Sequence, residues 1–200
     1  MSFISVISVI SVDISDWRQP MVNDLKEIIL TTEQIEARIK ELGAKISKDY
    51  QANPPVLVGI LKGALPFLAD LMRAITIPVV YDLMAVSSYG ASTKSTGTVR
   101  IIKDLDLEIE DRNVIIVEDI VDTGLTLQYL VENLRSRQPK SLKVCTLLDK
   151  PSRRRTPIQP DYNGFEIPDF FVVGFGLDYA EKYRNLPYIG VLKEEIYMKE

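Results

Sequence analysis

Hydrophobic residues along this chain come in two forms, short unbroken runs and helical stripes, and the two alternate. Val114 to Val117 is a run of four β-branched residues that stops at the adjacent carboxylates Glu118 and Asp119, as expected of a strand buried on both faces. Leu127, Leu130, Val131 and Leu134 then recur at helical spacing, which predicts a helix beginning at or near Gly124. Upstream, Thr31 and Gln34 have capping-box spacing ahead of Ile35, Ile39, Leu42 and Ile46, so a helix is expected there until Asn53-Pro54-Pro55 breaks it. Val56 to Ile60 reads as a second buried strand and ends in Leu61-Lys62-Gly63-Ala64. Leu65, Leu68, Leu71, Met72 and Ile75 continue as a helix with Pro66 in its first turn. Further strands are expected at 78–86, 99–102 and 142–148, with a small polar stretch at 87–98.

Composition narrows what such a chain does. Two hundred residues at 46% hydrophobic content suit one substantial core, and a net charge of −4 argues against general nucleic-acid affinity. Histidine is absent, which removes Ser-His-Asp and Cys-His catalysis and every imidazole metal site. The single cysteine, Cys145, lies inside an apolar strand and is expected to be inert, in keeping with a reducing, cytoplasmic setting. Residues 1–20 repeat Ile-Ser-Val, too short and serine-rich a run to span a membrane, and read as a dispensable extension before a single domain at 21–200.

The chemistry gathers at the end of the 114–117 strand. Glu118, Asp119 and Asp122 would repel one another there unless a cation or a polyhydroxylated ligand compensated them. Thr123-Gly124-Leu125-Thr126 offers free N–H groups at a helix start, two hydroxyls and a glycine, a set suited to a phosphate monoester. Lys62 and Lys150 stand at two other strand ends, where open α/β sheets collect ligand contacts. Arg153-Arg154-Arg155 reads as a solvated turn or a subunit contact, and Phe170 and Phe175 as core. Beside a phosphate site, the polar stretch containing Ser88 and Tyr89 is expected to be a lid.

The run from Val114 to Thr126, a hydrophobic strand followed by Glu-Asp, two hydrophobics and Asp-Thr-Gly-x-Thr, resembles the signature of the type I phosphoribosyltransferases. That resemblance implies an α/β fold, a twisted and mainly parallel sheet flanked by helices, with a small hood subdomain. The core is expected at about 50–165 and the hood from 21–50 and 166–200. It implies that Glu118 and Asp119 hold the ribose 2- and 3-hydroxyls of phosphoribosyl diphosphate (PRPP). Asp122, Thr123, Gly124, Leu125 and Thr126 would then take the 5-phosphate.

Leu61-Lys62-Gly63 resembles the diphosphate loop of the purine-type members, with Ala64 a mild departure, and Ser88-Tyr89 resembles their mobile loop. The segment from Ile167 to Tyr188 resembles the hood of the hypoxanthine-guanine members. There the matching residues imply that Phe171 stacks on the purine, the backbone near Val172 and Asp178 reads its edge and 2-substituent, and Arg184 meets the diphosphate. By the same resemblance Lys150 donates to O6 of hypoxanthine or guanine, and Asp122 handles the proton at N7. Magnesium is the implied cofactor, with Glu118, Asp119 and Asp178 as its protein ligands, and the implied assembly is a homodimer or homotetramer. A uracil-using relative, or a regulatory RNA-binding protein on the same scaffold, is the alternative; a Rossmann-type domain would want a Gly-x-Gly-x-x-Gly turn that Gly59-Ile60-Leu61-Lys62-Gly63 does not supply.

Overall fold

The computed structural model describes residues 21–88 and 99–198, and of Ser88 only the backbone. The N-terminal extension, Tyr89 and the rest of the expected lid lie outside the described residues.

Strand β1 (Leu25–Leu30) leads into helix α1 (Thr32–Asp49), whose start carries the expected capping box: Gln34 N–H donates to Thr31 Oγ1 and the Thr31 N–H to Gln34 Oε1. Strand β2 (Val56–Leu61), helix α2 (Leu65–Ala74), strands β3 (Val80–Ser88) and β4 (Val99–Lys103) follow. Next come β5 (Asn113–Val121), α3 (Leu125–Arg135), β6 (Ser141–Asp149) and β7 (Tyr162–Glu166). The chain closes with β8 (Val172–Val173), β9 (Ile189–Leu192) and the short α4 (Glu194–Tyr197).

Six strands form one sheet in the order β4-β3-β2-β5-β6-β7, parallel except for the edge strand β4. Strand β5 lies inside the sheet and its side chains alternate between two cores, as the two-residue period of a strand requires. Ile115 and Val117 meet α1 and α2 residues such as Ile39, Phe67 and Leu71, while Val114 and Ile116 meet Leu127, Leu130 and Leu134 of α3. Burial on both faces is why the run is apolar without interruption.

The second sheet, β1-β9-β8, is antiparallel and joins residues from near both ends of the described chain. One group of its side chains, Leu25, Val173 and Leu192, packs with Tyr183 and Leu186, whereas Leu30, Val172, Ile189 and Val191 run into the main core. Helix α1, which the sequence groups with the hood, packs on α2 and β7 of the large sheet. Two apolar positions depart from expectation. Leu65 is exposed and Phe67 takes the buried place on α2, because the inward face of that helix is set by Phe67, Leu68 and Leu71. Phe175 is core as expected, but Phe170 is 36% exposed, since it lies on a loop at the mouth of a cleft and not on a strand.

Candidate active site

Two buried carboxylates show which acids serve structure and which do not. Asp82 accepts the backbone N–H groups of Leu83, Asp106 and Leu107 at 2.7 to 2.9 Å and has Lys103 at 3.6 Å. Burial pushes its pKa up, but the three N–H donors and the lysine outweigh that, and it ends below the ordinary carboxylate value. Glu118 is as deeply buried and has no such donors among the described residues. Burial, and then the charge of Asp119, hold its carboxyl well above the ordinary range. Asp119 is itself pushed up to about 6, mainly by burial; its backbone hydrogen bonds and Arg184 oppose the rise while Asp178 adds to it. Two adjacent acids both raised in this way at a strand end are costly for folding alone and make a candidate ligand site.

Gly124 sits at the N-cap of α3 with φ of +80°, a conformation that side chains rarely adopt, and a Cβ there would overlap Thr156 Oγ1. The turn therefore stays tight, and the first-turn N–H groups of α3 face a small cavity of about 110 Å³ lined by Glu118, Asp122, Thr123, Thr126 and their neighbours. Arg155 N–H donates to Thr123 O at 2.9 Å and supports the turn from behind.

Beside it lies a larger cleft of about 430 Å³, lined by Asp122, Lys150, Asp169, Phe171, Val172 and Tyr197 among others. Lys150 is buried and donates to Phe170 O at 2.5 Å; burial lowers its pKa, and Asp122 and Asp169 work against that loss. Phe171 stacks on Tyr197 with ring centroids 4.7 Å apart and meets Tyr179 edge-on at 5.7 Å. An ammonium group, a carboxylate and an aromatic wall thus share a cleft with room for a planar heterocycle.

On the other side of Asp119, Gly63 comes so close that a Cβ there would overlap Asp119 Oδ2. The preceding Leu61–Lys62 peptide is cis. Lys62 Nζ lies 3.0 Å from Glu181 Oε2, and Arg184 pairs with Asp178 at 2.8 Å and with Glu181 at 3.4 Å. Two cations therefore converge on one exposed carboxylate.

A family model described as a phosphoribosyl transferase domain matches residues 26–180. This chain belongs to the phosphoribosyltransferase family. The hypoxanthine-guanine phosphoribosyltransferase of Bacillus subtilis is 56% identical over 177 residues, which are 88% of this chain and 98% of that protein. One from Streptococcus agalactiae is 54% identical over the same shares of both chains. A crystal structure of a hypoxanthine phosphoribosyltransferase from Staphylococcus aureus superposes with a TM-score of 0.86 at 56% identity, covering 89% of this chain and 97% of that one.

As a phosphoribosyltransferase, the chain shows the type I fold that its strand-end motif implies. The structure brings Glu118, Asp119, Asp122, Lys150 and the Thr123 to Thr126 turn to one end of the large sheet, with Phe171 and Val172 facing the same cleft. Lys62, Gly63, Asp178 and Arg184 gather on the far side of Asp119. Glu118, Asp119 and Asp178 do not form a complete ligand set by themselves: among the described residues no group of three or more acidic or other ligating side chains is spaced to hold a metal.

Four residues at the site of this phosphoribosyltransferase had no signal in the sequence pattern. Arg153, read as solvated, reaches Asp122 Oδ1 with its Nε at 2.7 Å and Asp169 with its Nη1 at 3.1 Å. Asp169 lies in the loop before β8, Glu181 at a turn with φ of +62°, and Tyr197 on α4, each brought in by long-range packing. No helix among the described residues is long and apolar enough to cross a membrane.

Proposed function

We propose that this chain transfers the 5-phosphoribosyl group of PRPP to N9 of hypoxanthine or guanine, giving IMP or GMP and diphosphate in purine salvage. The observation that carries this reading is the placement of three unlike surfaces around one strand end: a helix-start turn lining a small cavity, two adjacent acids whose carboxyls are held above their ordinary range, and a base-sized cleft holding a buried ammonium group.

In this reading the N–H groups and hydroxyls of Thr123 to Thr126 bind the 5-phosphate, while Glu118 and Asp119 accept hydrogen bonds from the ribose hydroxyls. Lys62, the Gly63 backbone, Arg184 and the Ser88-Tyr89 segment take the diphosphate. As the bond from C1 to the diphosphate lengthens, positive charge grows on the ribose and negative charge on the leaving group. The acidic strand end favours the first, and Lys62 and Arg184 the second. Phe171 stacks on the base, the Val172 backbone reads its edge, and Lys150 donates to O6. A 6-amino purine offers donors where that lysine needs an acceptor, so adenine is excluded. Asp122 carries the proton at N7 while N9 attacks C1.

Glu118, Asp119 and Asp178 are hard oxygen donors, and burial, with a smaller contribution from Asp178, raises the carboxyl of Asp119, so a divalent cation completed by substrate oxygens fits them, and magnesium suits that donor set. When bound, it would neutralise charge on the diphosphate. The same reading makes the enzyme a cytoplasmic homodimer or homotetramer, with one catalytic domain at 21–200 and residues 1–20 outside the machinery.

Incubation with PRPP and magnesium, offering hypoxanthine, guanine, xanthine, adenine and uracil separately, tests the proposal by the nucleotide formed. Product from 6-oxopurines alone is expected. Product from uracil alone, or none from any base, would overturn it.

A further inference from the structure

Asp122 has two oxygens in unlike surroundings. Oδ1 is fully covered and has no aligned hydrogen-bond donor, yet Arg153 Nε lies 2.7 Å away, a charge contact off the N–H direction. The side chain as a whole is 38% exposed, so its open part lies away from Oδ1, and the residue lines both the cleft and the small cavity beside it. The same guanidinium reaches Asp169 Oδ1 at 3.1 Å through Nη1. Arg153 therefore ties the strand-end acid to the loop that precedes the aromatic wall of Phe171. The short 3-10 turn Pro151–Arg153, directly after β6, is what aims it inward; Arg154, next in the chain, points instead to Asp149.

We propose that Arg153 is a positioning residue for the reaction described above: it pins Oδ1 of Asp122 so that Oδ2 faces the base, and through Asp169 it keeps that oxygen in register with Phe171. The inference rests on the phosphoribosyl-transfer reading, in which Asp122 meets the purine. A planar guanidinium suits the task because two of its nitrogens point in fixed directions, which holds two carboxylates at one spacing. Lys150 does not make the bridge, since its ammonium group donates to Phe170 O and lies 3.9 Å from Asp169. The charged groups around Asp122 are thus Lys150, Arg153 and Asp169 in the cleft, and Glu118 in the adjoining phosphate cavity.

A double-mutant cycle separates positioning from simple support of the fold. Single-turnover nucleotide formation from PRPP and hypoxanthine is measured for the wild type, Arg153→Met, Arg153→Lys, Asp122→Asn and the Asp122→Asn/Arg153→Met pair, with thermal melts as folding controls. Arg153→Met is expected to slow the step about tenfold while the KM for PRPP stays within about twofold, and Arg153→Lys to recover part of the loss. In the Asp122→Asn background, removing Arg153 should change the rate by less than about twofold, because its effect runs through the carboxylate. Equal losses in both backgrounds, or no loss in the wild-type background, would overturn the proposal. Should Arg153→Met fail to fold, Arg153→Gln replaces it in the same cycle. A wild-type protein that forms no nucleotide from any 6-oxopurine instead overturns the functional reading, so the two failures are told apart.

Discussion

The carboxylate of Asp119 occupies the space where a side chain on Gly63 would begin: a Cβ there would overlap Oδ2 and lie 2.7 Å from Cγ. The loop after β2 and the end of β5 are thereby locked together, and a methyl group is enough to separate them. Gly63→Ala should lower kcat/KM for PRPP by at least about tenfold, because a small displacement of reacting groups is costly. Its melting temperature should move by only about 2 to 4 °C, since the large sheet is untouched. Steady-state kinetics beside a thermal melt check both halves; a variant with native kinetics would mean that the loop yields at no cost.

Asp119 also makes a prediction about pH. Its folded carboxyl, near 6 against an ordinary 3.8, binds a proton more tightly than the unfolded chain does. The stability it contributes is therefore fully present below about pH 3.8 and is lost as pH rises through 6. With divalent metal chelated, Asp119→Asn should gain stability relative to the wild type between pH 4 and 7. The gain should reach roughly 3 kcal/mol at most, at about 1.4 kcal/mol per unit. Urea unfolding at several pH values measures it, and a difference that stays flat across this range refutes the assignment.

Lys150 is buried in the cleft and already donates one N–H to Phe170 O. Under the proposed function its remaining donors face O6, so Lys150→Met should reduce kcat/KM for hypoxanthine on the order of 30- to 100-fold. Adenine should not suffer a matching loss. The ratio of the two specificity constants is the quantity to follow, and an unchanged ratio counts against the role.

Glu181 draws Lys62 and Arg184 together before any diphosphate arrives. The Lys62 pair is largely exposed, so breaking it costs little energy. Glu181→Gln should tighten product inhibition by diphosphate about two- to fivefold. Inhibition titrations at fixed purine concentration test this, with weaker inhibition as the contrary result.

Local structure was legible and distant assembly was not. The acids, the Thr123 to Thr126 turn and the helix after it lie within Val114 to Arg135, where strand and helix periods announce themselves and the polar turn between them stands out. Arg153 could not be told from Arg154 and Arg155 by pattern, because a single turn of chain sends them to different partners: Asp122 for the first and Asp149 for the second. The same holds for the aromatics. Phe170 and Phe175 look alike in a dense apolar segment, but loop geometry exposes one and packing covers the other. Tyr197 joins Phe171 only because β8, β9 and α4 fold back together.

The small sheet has a consequence for the order in which the chain acquires its parts during synthesis. All the strands of the large sheet lie between Val56 and Glu166, so all of them are synthesised before β9. Strand β1 is made first but pairs with β9, and must wait for it. Closing that long loop comes late and is entropically slow. The nascent chain therefore carries its acidic strand end and the turn after it before it can finish the roof, and under the proposed function its ability to use a base arrives with the last few dozen residues.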